Sequence, residues 1–142
     1  MIIVDTNVVS EPLRRAAEPA VQDWLDRQVP ETLFLATVSL AELLAGVALL
    51  PAGRRRDGLV TGMQALLTGL FGSRMLPFDE PAATAYADIV ARTRTAGITI
   101  SVPDAQIAAI AAVHGFAVAT RDVTPFQAAG IPVINPWPVR PA

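Results

Sequence analysis

Cysteine and lysine are absent from the 142 residues, and His114 is the only histidine. Each absence removes a chemistry. Without cysteine there is no thiol nucleophile, no disulfide and no thiolate-bound metal. Without lysine there is no Schiff base, phosphate-loop lysine or lysine general base. A response-regulator receiver is disfavoured on the same ground, since that fold relies on a lysine beside its acidic cluster. One histidine cannot build a multi-histidine zinc site. Aromatic residues make up 6% of the chain, too few for an obvious base-stacking surface. The reactive groups that remain are carboxylates, hydroxyls, arginines and the backbone.

What is present describes a folding chain. Hydrophobic residues are 52% and charged ones 17%, outside the disordered range. The length suits a single domain, 1–142, able to bury about two-thirds of its unfolded surface. Eleven arginines stand against thirteen acids, for a net charge of -2. That argues against a broad basic footprint for duplex DNA but leaves room for a local arginine-lined groove. Met1-Ile2-Ile3-Val4-Asp5 lacks a basic start and meets an acid too early for a signal peptide. The longest apolar stretch, Leu33 to Leu50, carries Glu42 near its centre. An acid there costs about 2.5–3.5 kcal/mol in a bilayer. No membrane span is expected, and a reducing cytoplasm is the expected setting.

Strand and helix signals alternate along the chain. Ile2 to Val4, Leu33 to Thr37, Arg74 to Phe78, Phe116 to Thr120 and Pro132 to Ile134 read as short apolar strands. Helical segments are expected from Asp5 to about Leu13, Pro19 to Arg27, Ser39 to Leu50 and Arg55 to Leu70. Others follow over Glu80 to Ala96, Pro103 to His114 and Thr124 to Ala129. Tyr86, Ile89, Val90 and Thr93 form the expected inner face of their helix, and Asp88 and Arg92 an i,i+4 pair. Residues from about 135 to 142 form an irregular tail. Unalternating strands interleaved with helices predict an α/β fold, with a parallel sheet covered on both faces.

Four of the thirteen acids stand apart. Asp5, Glu42, Asp104 and Asp122 fall at a strand's carboxyl end or in the first turn of the next helix. Each has a bland explanation. Asp5 and Asp122 could cap helices. Ser39-Leu40-Ala41-Glu42 matches a capping box. Asp104 suits a helix dipole one residue after Pro103. Together they gather at the edge where parallel sheets bind ligands. Asp5 continues a strand that reads as buried, and Asp104 heads the face of Ile107, Ala108 and Ala111. Glu42 shares a side with the small Ala45 and Gly46. Converging carboxylates repel one another unless a cation compensates. Oxygen donors alone point to magnesium or manganese. Such a site suits phosphodiester cleavage, because the metal activates a water and offsets phosphate charge.

Here the chain resembles a PIN domain, and within it the VapC/FitB-like toxins of toxin–antitoxin pairs. The resemblance runs through Ile3-Val4-Asp5-Thr6-Asn7-Val8-Val9-Ser10, Ser39-Leu40-Ala41-Glu42-Leu43 and Pro51-Ala52-Gly53-Arg54-Arg55-Arg56. It continues through Leu76-Pro77-Phe78-Asp79, Asp104-Ala105-Gln106-Ile107-Ala108-Ala109-Ile110-Ala111 and Ala119-Thr120-Arg121-Asp122. Gly130-Ile131-Pro132-Val133-Ile134-Asn135-Pro136-Trp137 closes it. The resemblance implies a three-layer α/β/α fold and a magnesium- or manganese-dependent endoribonuclease acting on single-stranded RNA. It places metal on Asp5 and Asp104, with Glu42 and Asp122 as further acidic members of the catalytic set. Thr6, Asn7 and Thr120 become supporting neighbours. It also implies a homodimer and a small DNA-binding antitoxin that covers the groove. The last motif departs from the pattern. Related sequences commonly carry Asn where Asp122 stands and an acid where Pro125 precedes Phe126. Pro125 in that place would weaken a second metal position.

Other residues carry competing readings. His114 suits the C-terminal end of its helix. Arg54-Arg55-Arg56 reads as an RNA contact or as a solvated helix start. Arg121, beside Asp122, is the candidate substrate-binding arginine, or it neutralises nearby acids. Trp24 and Trp137 read as packing or partner contacts. Leu49, Leu50, Leu59, Leu66 and Leu70 exceed what a small core holds and suggest a partner face. Two other functions remain open at this point. One is a non-catalytic protein-binding module whose acids are helix caps. The other is a phosphatase using Asp5 as a covalent nucleophile, which lacks the usual second aspartate because Asn7 stands there.

Overall fold

Ile2–Val4 forms β1, the central strand of a five-stranded sheet of order β3-β2-β1-β4-β5. The computed structural model describes residues 1–139. The other strands are β2 (Leu33–Ala36), β3 (Met75–Leu76), β4 (Ala117–Ala119) and β5 (Val133–Ile134), and every pairing is parallel. Val4 of β1 pairs with Ala119 of β4, and Ile3 with Phe34 of β2. Seven α-helices accompany the sheet: α1 (Thr6–Ser10), α2 (Pro19–Arg27), α3 (Thr37–Ala48), α4 (Arg54–Leu70), α5 (Glu80–Thr95), α6 (Val102–His114) and α7 (Val123–Ala128). Short 3-10 turns cover Glu11–Leu13 and Pro30–Thr32.

The strands are apolar on both sides because both faces are covered. Ile3, Ala36 and Val118 join one core cluster with Ile89 of α5, Ile107 and Ile110 of α6, and Phe126 of α7. Val4, Leu33, Leu35 and Ala119 join another with Val8 and Val9 of α1, Val21 and Leu25 of α2, Leu43 of α3 and Met63 of α4. Neighbouring strand residues thus point to opposite clusters, as the two-residue period of a strand requires. The α/β architecture with a central parallel sheet is the one expected.

The connections set the functional edge. From β1 the chain steps to β2 and β3 on one side, then returns to β4 and β5 on the other. The strand order therefore reverses between β1 and β4. Ligands bind at the carboxyl ends of such a switch point.

Several local expectations differ from the structure. α3 begins at Thr37, directly after β2, with Ala36 as its N-cap and no side-chain cap. Glu42 therefore lies in the second turn, and the Ser39 capping box does not form. Ser39 is instead fully buried, and its hydroxyl has no hydrogen-bond partner among the described residues. Ala45 and Gly46 are exposed, so they offer no close-packing site beside Glu42. Val90 is exposed rather than inward-facing. Arg92 does not pair with Asp88. Its guanidinium donates to the Ala129 carbonyl at 3.2 Å, under Gly130, where a Cβ would strike it. Of the leucines expected to be in surplus, Leu49 is 86% exposed while Leu50, Leu59, Leu66 and Leu70 are half-buried. His114 ends α6 against the Phe116 ring, followed by left-handed Gly115. Residues 135–139 are irregular, and 140–142 of the expected tail lie outside the described residues.

Candidate functional site

Asp5 follows β1 directly and is held from three directions. Its amide donates to the Ala119 carbonyl of β4 at 2.9 Å, continuing the strand pairing. Its carboxylate accepts the Thr6 amide at 2.7 Å and the Thr120 hydroxyl at 2.8 Å. Asp5 does cap α1, as the bland reading of a strand-end aspartate has it, yet it is only 3% exposed. Thr120, the residue after β4, is fully buried. Besides donating to Asp5, its Oγ1 accepts the Asp122 amide at 3.0 Å and the Asn7 side-chain amide at 3.4 Å. The two central strand ends are thus tied by one hydroxyl.

The other acids come from neighbouring elements. Glu42 of α3 accepts the Thr6 hydroxyl at 2.9 Å. Asp104 sits in the first turn of α6, where its amide donates to Ser101 Oγ at 3.2 Å. Asp122 precedes α7 but makes no side-chain cap. Its carboxylate accepts Asn7 Nδ2 at 3.4 Å instead. Asn7 also accepts the Arg121 amide through Oδ1 at 3.3 Å, so one amide side chain spans the β1 and β4 loops. Asp5, Thr6, Asn7, Ser10, Glu42, Asp104 and Asp122 line one open cleft of about 330 Å³.

Among the described residues no basic side chain lines this cleft. The electrostatic consequence is uneven. Asp5 is pushed up from 3.8 to about 6, first by burial. The Thr120 hydroxyl and the Thr6 amide work against the rise, and the charges of Asp104 and Glu42 add to it. Asp104 is raised too, again first by burial, with Ser101 opposing and Asp122 and Glu42 contributing. The carboxylates therefore carry uncompensated repulsion, which a cation would relieve.

The donor set fits a hard divalent ion. Every group facing the cleft is an oxygen donor or a side-chain amide. As the side chains stand, no three acids among the described residues close around one point. Magnesium keeps several waters and takes one or two protein carboxylates, so a loosely drawn set of acids suits it.

Comparison with known proteins places the fold in a family. The family model described as "PIN domain" matches residues 2–131. The chain belongs to the PIN-domain family. A relative named "Plasmid stability protein StbB", from Pseudomonas syringae pv. tomato, is 51% identical, covering 96% of this chain and 99% of that one. "Toxin FitB" of Neisseria gonorrhoeae is 44% identical over the same share of this chain and 99% of its own. "VapC ribonuclease Y4jK" of Sinorhizobium fredii is 45% identical, covering 96% and 98%. Among solved structures, FitAcB from Neisseria gonorrhoeae superposes with a TM-score of 0.91 at 44% identity, covering 98% of this chain and all of that one.

Within this PIN domain the predicted acids and their supporting residues do meet. Arg121 is the exception. It lines a separate cleft with Trp137, its guanidinium 5.1 Å from the ring centroid. It makes no ion pair with Asp122 among the described residues. Two residues of the site were missed in the sequence. Ser10 lines the cleft from the end of α1, and no local signal marks it. Ser101 caps α6 through Asp104, and the spacing Ser101-Val102-Pro103-Asp104 was a legible capping signal. Glu11, an acid outside the cleft, is only 5% exposed. It accepts the Glu18 amide at 3.0 Å and pairs with Arg14 at 3.2 Å.

Proposed function

We propose that this PIN domain is a divalent-metal-dependent endoribonuclease toxin that cleaves single-stranded RNA and is held in check by a small DNA-binding antitoxin. The observation that carries the reading is the buried Asp5, fixed by Thr6 and Thr120 at the sheet's switch point, facing Asp104 and Glu42 with no cationic side chain in the cleft. Relatives named as a VapC ribonuclease and as Toxin FitB support it. So does the likeness, with a TM-score of 0.92 at 44% identity, to a FitAB complex bound to a DNA fragment.

In this reading Asp5 and Asp104 hold magnesium or manganese, and Glu42 and Asp122 complete the acidic set. The ion supplies a Lewis acid that makes a water nucleophilic near neutral pH and offsets charge on the phosphodiester. Thr120 keeps Asp5 oriented and favours its ionised form. Thr6 fixes Glu42, and Asn7 holds Asp122 in register with the β1 loop. Arg121 contacts RNA from the rim, in the cleft it shares with Trp137. A homodimer and a cytoplasmic setting belong to the same proposal. Leu44 on α3 and Leu49 just after it are exposed and support a partner face. Among the described residues no helix is long and apolar enough to cross a membrane. The helix-cap alternative accounts for Asp5 but leaves Glu42 and Asp122 without a role, because neither makes a cap bond.

The test is cleavage of single-stranded RNA by the purified protein. Magnesium or manganese sustains it and EDTA stops it. Asp5→Asn and Asp104→Asn each lower the rate by at least about a hundredfold while the circular-dichroism spectrum is retained. Wild-type rates in both variants would overturn the proposal.

A further inference from the structure

A second, roomier cleft lies outside the acidic site. It measures about 660 Å³ and is walled by Leu13 and Leu59, with Arg14, Arg15, Arg54 and Arg55 around it. Four of the chain's eleven arginines converge there from segments forty residues apart, and no acid lines it. The volume lies within the range of about 300–1,000 Å³ that ligand sites occupy.

Two further features make this end of the molecule electropositive. α4 begins at Arg54 behind Gly53, with no capping side chain, so its amides add partial positive charge, which Asp57 in the same turn offsets in part. Arg14 is the only one of the four with a carboxylate partner among the described residues. That partner, Glu11, is buried and also holds the Glu18 amide, which fixes the loop carrying Arg14 and Arg15. Arg15, Arg54 and Arg55 are exposed and make no ion pair among the described residues.

The two clefts are lined from consecutive elements. Ser10, at the end of α1, lines the acidic cleft, and Leu13, at the end of the following 3-10 turn, lines the arginine cleft. Three residues of helical backbone rise by about 5–6 Å. Phosphates along a nucleic-acid strand are spaced by about 3.4 Å in a duplex and more when extended, so one strand reaches both clefts within about one or two nucleotides. The acidic cleft repels a polyanion, and the chain as a whole is negative. Positive charge beside the cleft adds to what a bound cation offsets and favours RNA binding.

We infer that Arg14, Arg15, Arg54 and Arg55 form a phosphate-binding cleft for the backbone of the same single-stranded RNA, next to the scissile position. The inference rests on the proposed ribonuclease reading and deepens it. Guanidinium forks bind phosphate in pairs of parallel hydrogen bonds, and Leu13 and Leu59 support the arginine stems and the sugar face. The contact is to backbone, so it acts on affinity without selecting sequence.

The test uses Arg15→Gln/Arg55→Gln, since both side chains are exposed and carry no buried partner. Binding of a labelled oligoribonucleotide to the intact protein in EDTA is followed by fluorescence anisotropy across a salt series. Losing two phosphate contacts should weaken binding about tenfold at low salt and reduce the slope of log K against log salt by about 1.4. With metal restored, KM should rise by a similar factor while kcat stays within about twofold. An unchanged affinity and salt slope would overturn the inference. The two readings fail separately. If wild-type protein cuts no RNA with any divalent ion, the ribonuclease reading falls while the anisotropy still decides the cleft. If wild-type protein cuts RNA and the variant binds equally well, only the cleft falls.

Discussion

The acidic cleft and the arginine cleft flank one short helical segment and are built in opposite ways. Asp5, Glu42 and Asp122 are each held by a named hydrogen bond to their carboxylates, and Asp5 and Thr120 are buried at the ends of adjacent strands. Arg15, Arg54 and Arg55 are exposed on a loop and a helix start, with no such restraint. One site depends on atoms fixed by the sheet. The other depends on charge density alone. The difference implies that the acidic cleft costs stability and the arginine cleft does not.

The largest effect should therefore appear in stability. In the absence of metal, the Asp5 carboxyl titrates near 6 in the folded chain against an ordinary 3.8. Between those values the folded chain binds more protons than the unfolded one. Stability thus falls as pH rises through this window, and the loss is complete above it. The span corresponds to at most about 3 kcal/mol. In EDTA at pH 8, Asp5→Asn should stabilise the protein against urea, and the gain should fade towards pH 4. Arg15→Gln should change stability by less than about 0.5 kcal/mol. A gain for Asp5→Asn that persists below pH 4 would show that the buried charge of Asp5 is not its source.

Thr120→Val should come next. It keeps the buried volume but removes the hydroxyl that donates to Asp5 and accepts the Asp122 amide. Cleavage should fall about tenfold, with the acid limb of its pH profile displaced upward, because Asp5 loses a bond that favours its ionised form. The salt slope of RNA binding should not move. A changed slope would mean that the two clefts are not separable.

The smallest effect belongs to Glu11→Gln. It retains the shape and the acceptor for Glu18 but removes the charge that pairs with Arg14. Thermal denaturation should report a loss of about 1 kcal/mol. RNA affinity should weaken by less than threefold, because only the placement of Arg14 changes. A larger drop would make Arg14 the dominant phosphate contact.

Strand–helix alternation, and the four acids at the strand ends, were legible because they rest on local patterns. Strand order was not, since short parallel strands reveal their neighbours only on pairing. The place of Asp5 beside Thr120 follows from that pairing. Glu42 faces the acidic cleft as expected, but the capping box offered as its bland explanation does not form, although Ser39 imitates a cap. The chain turns into α3 at Ala36, before Ser39, and no polar cap announces it. The burial of Glu11 gave no local signal, because it depends on a loop returning seven residues later. The arginine cleft was out of reach for the same reason. Arg54 and Arg55 gain meaning only when α4 packs beside Arg14 and Arg15.

The central claim is that the acidic cleft takes a divalent ion on Asp5 and Asp104. Isothermal titration calorimetry with manganese at pH 7.5 tests it without any RNA. The wild type should bind in the millimolar range or tighter, Asp5→Asn and Asp104→Asn should each lose that binding, and Arg15→Gln/Arg55→Gln should keep it. No binding by the wild type, or equal binding by all four proteins, would contradict the claim.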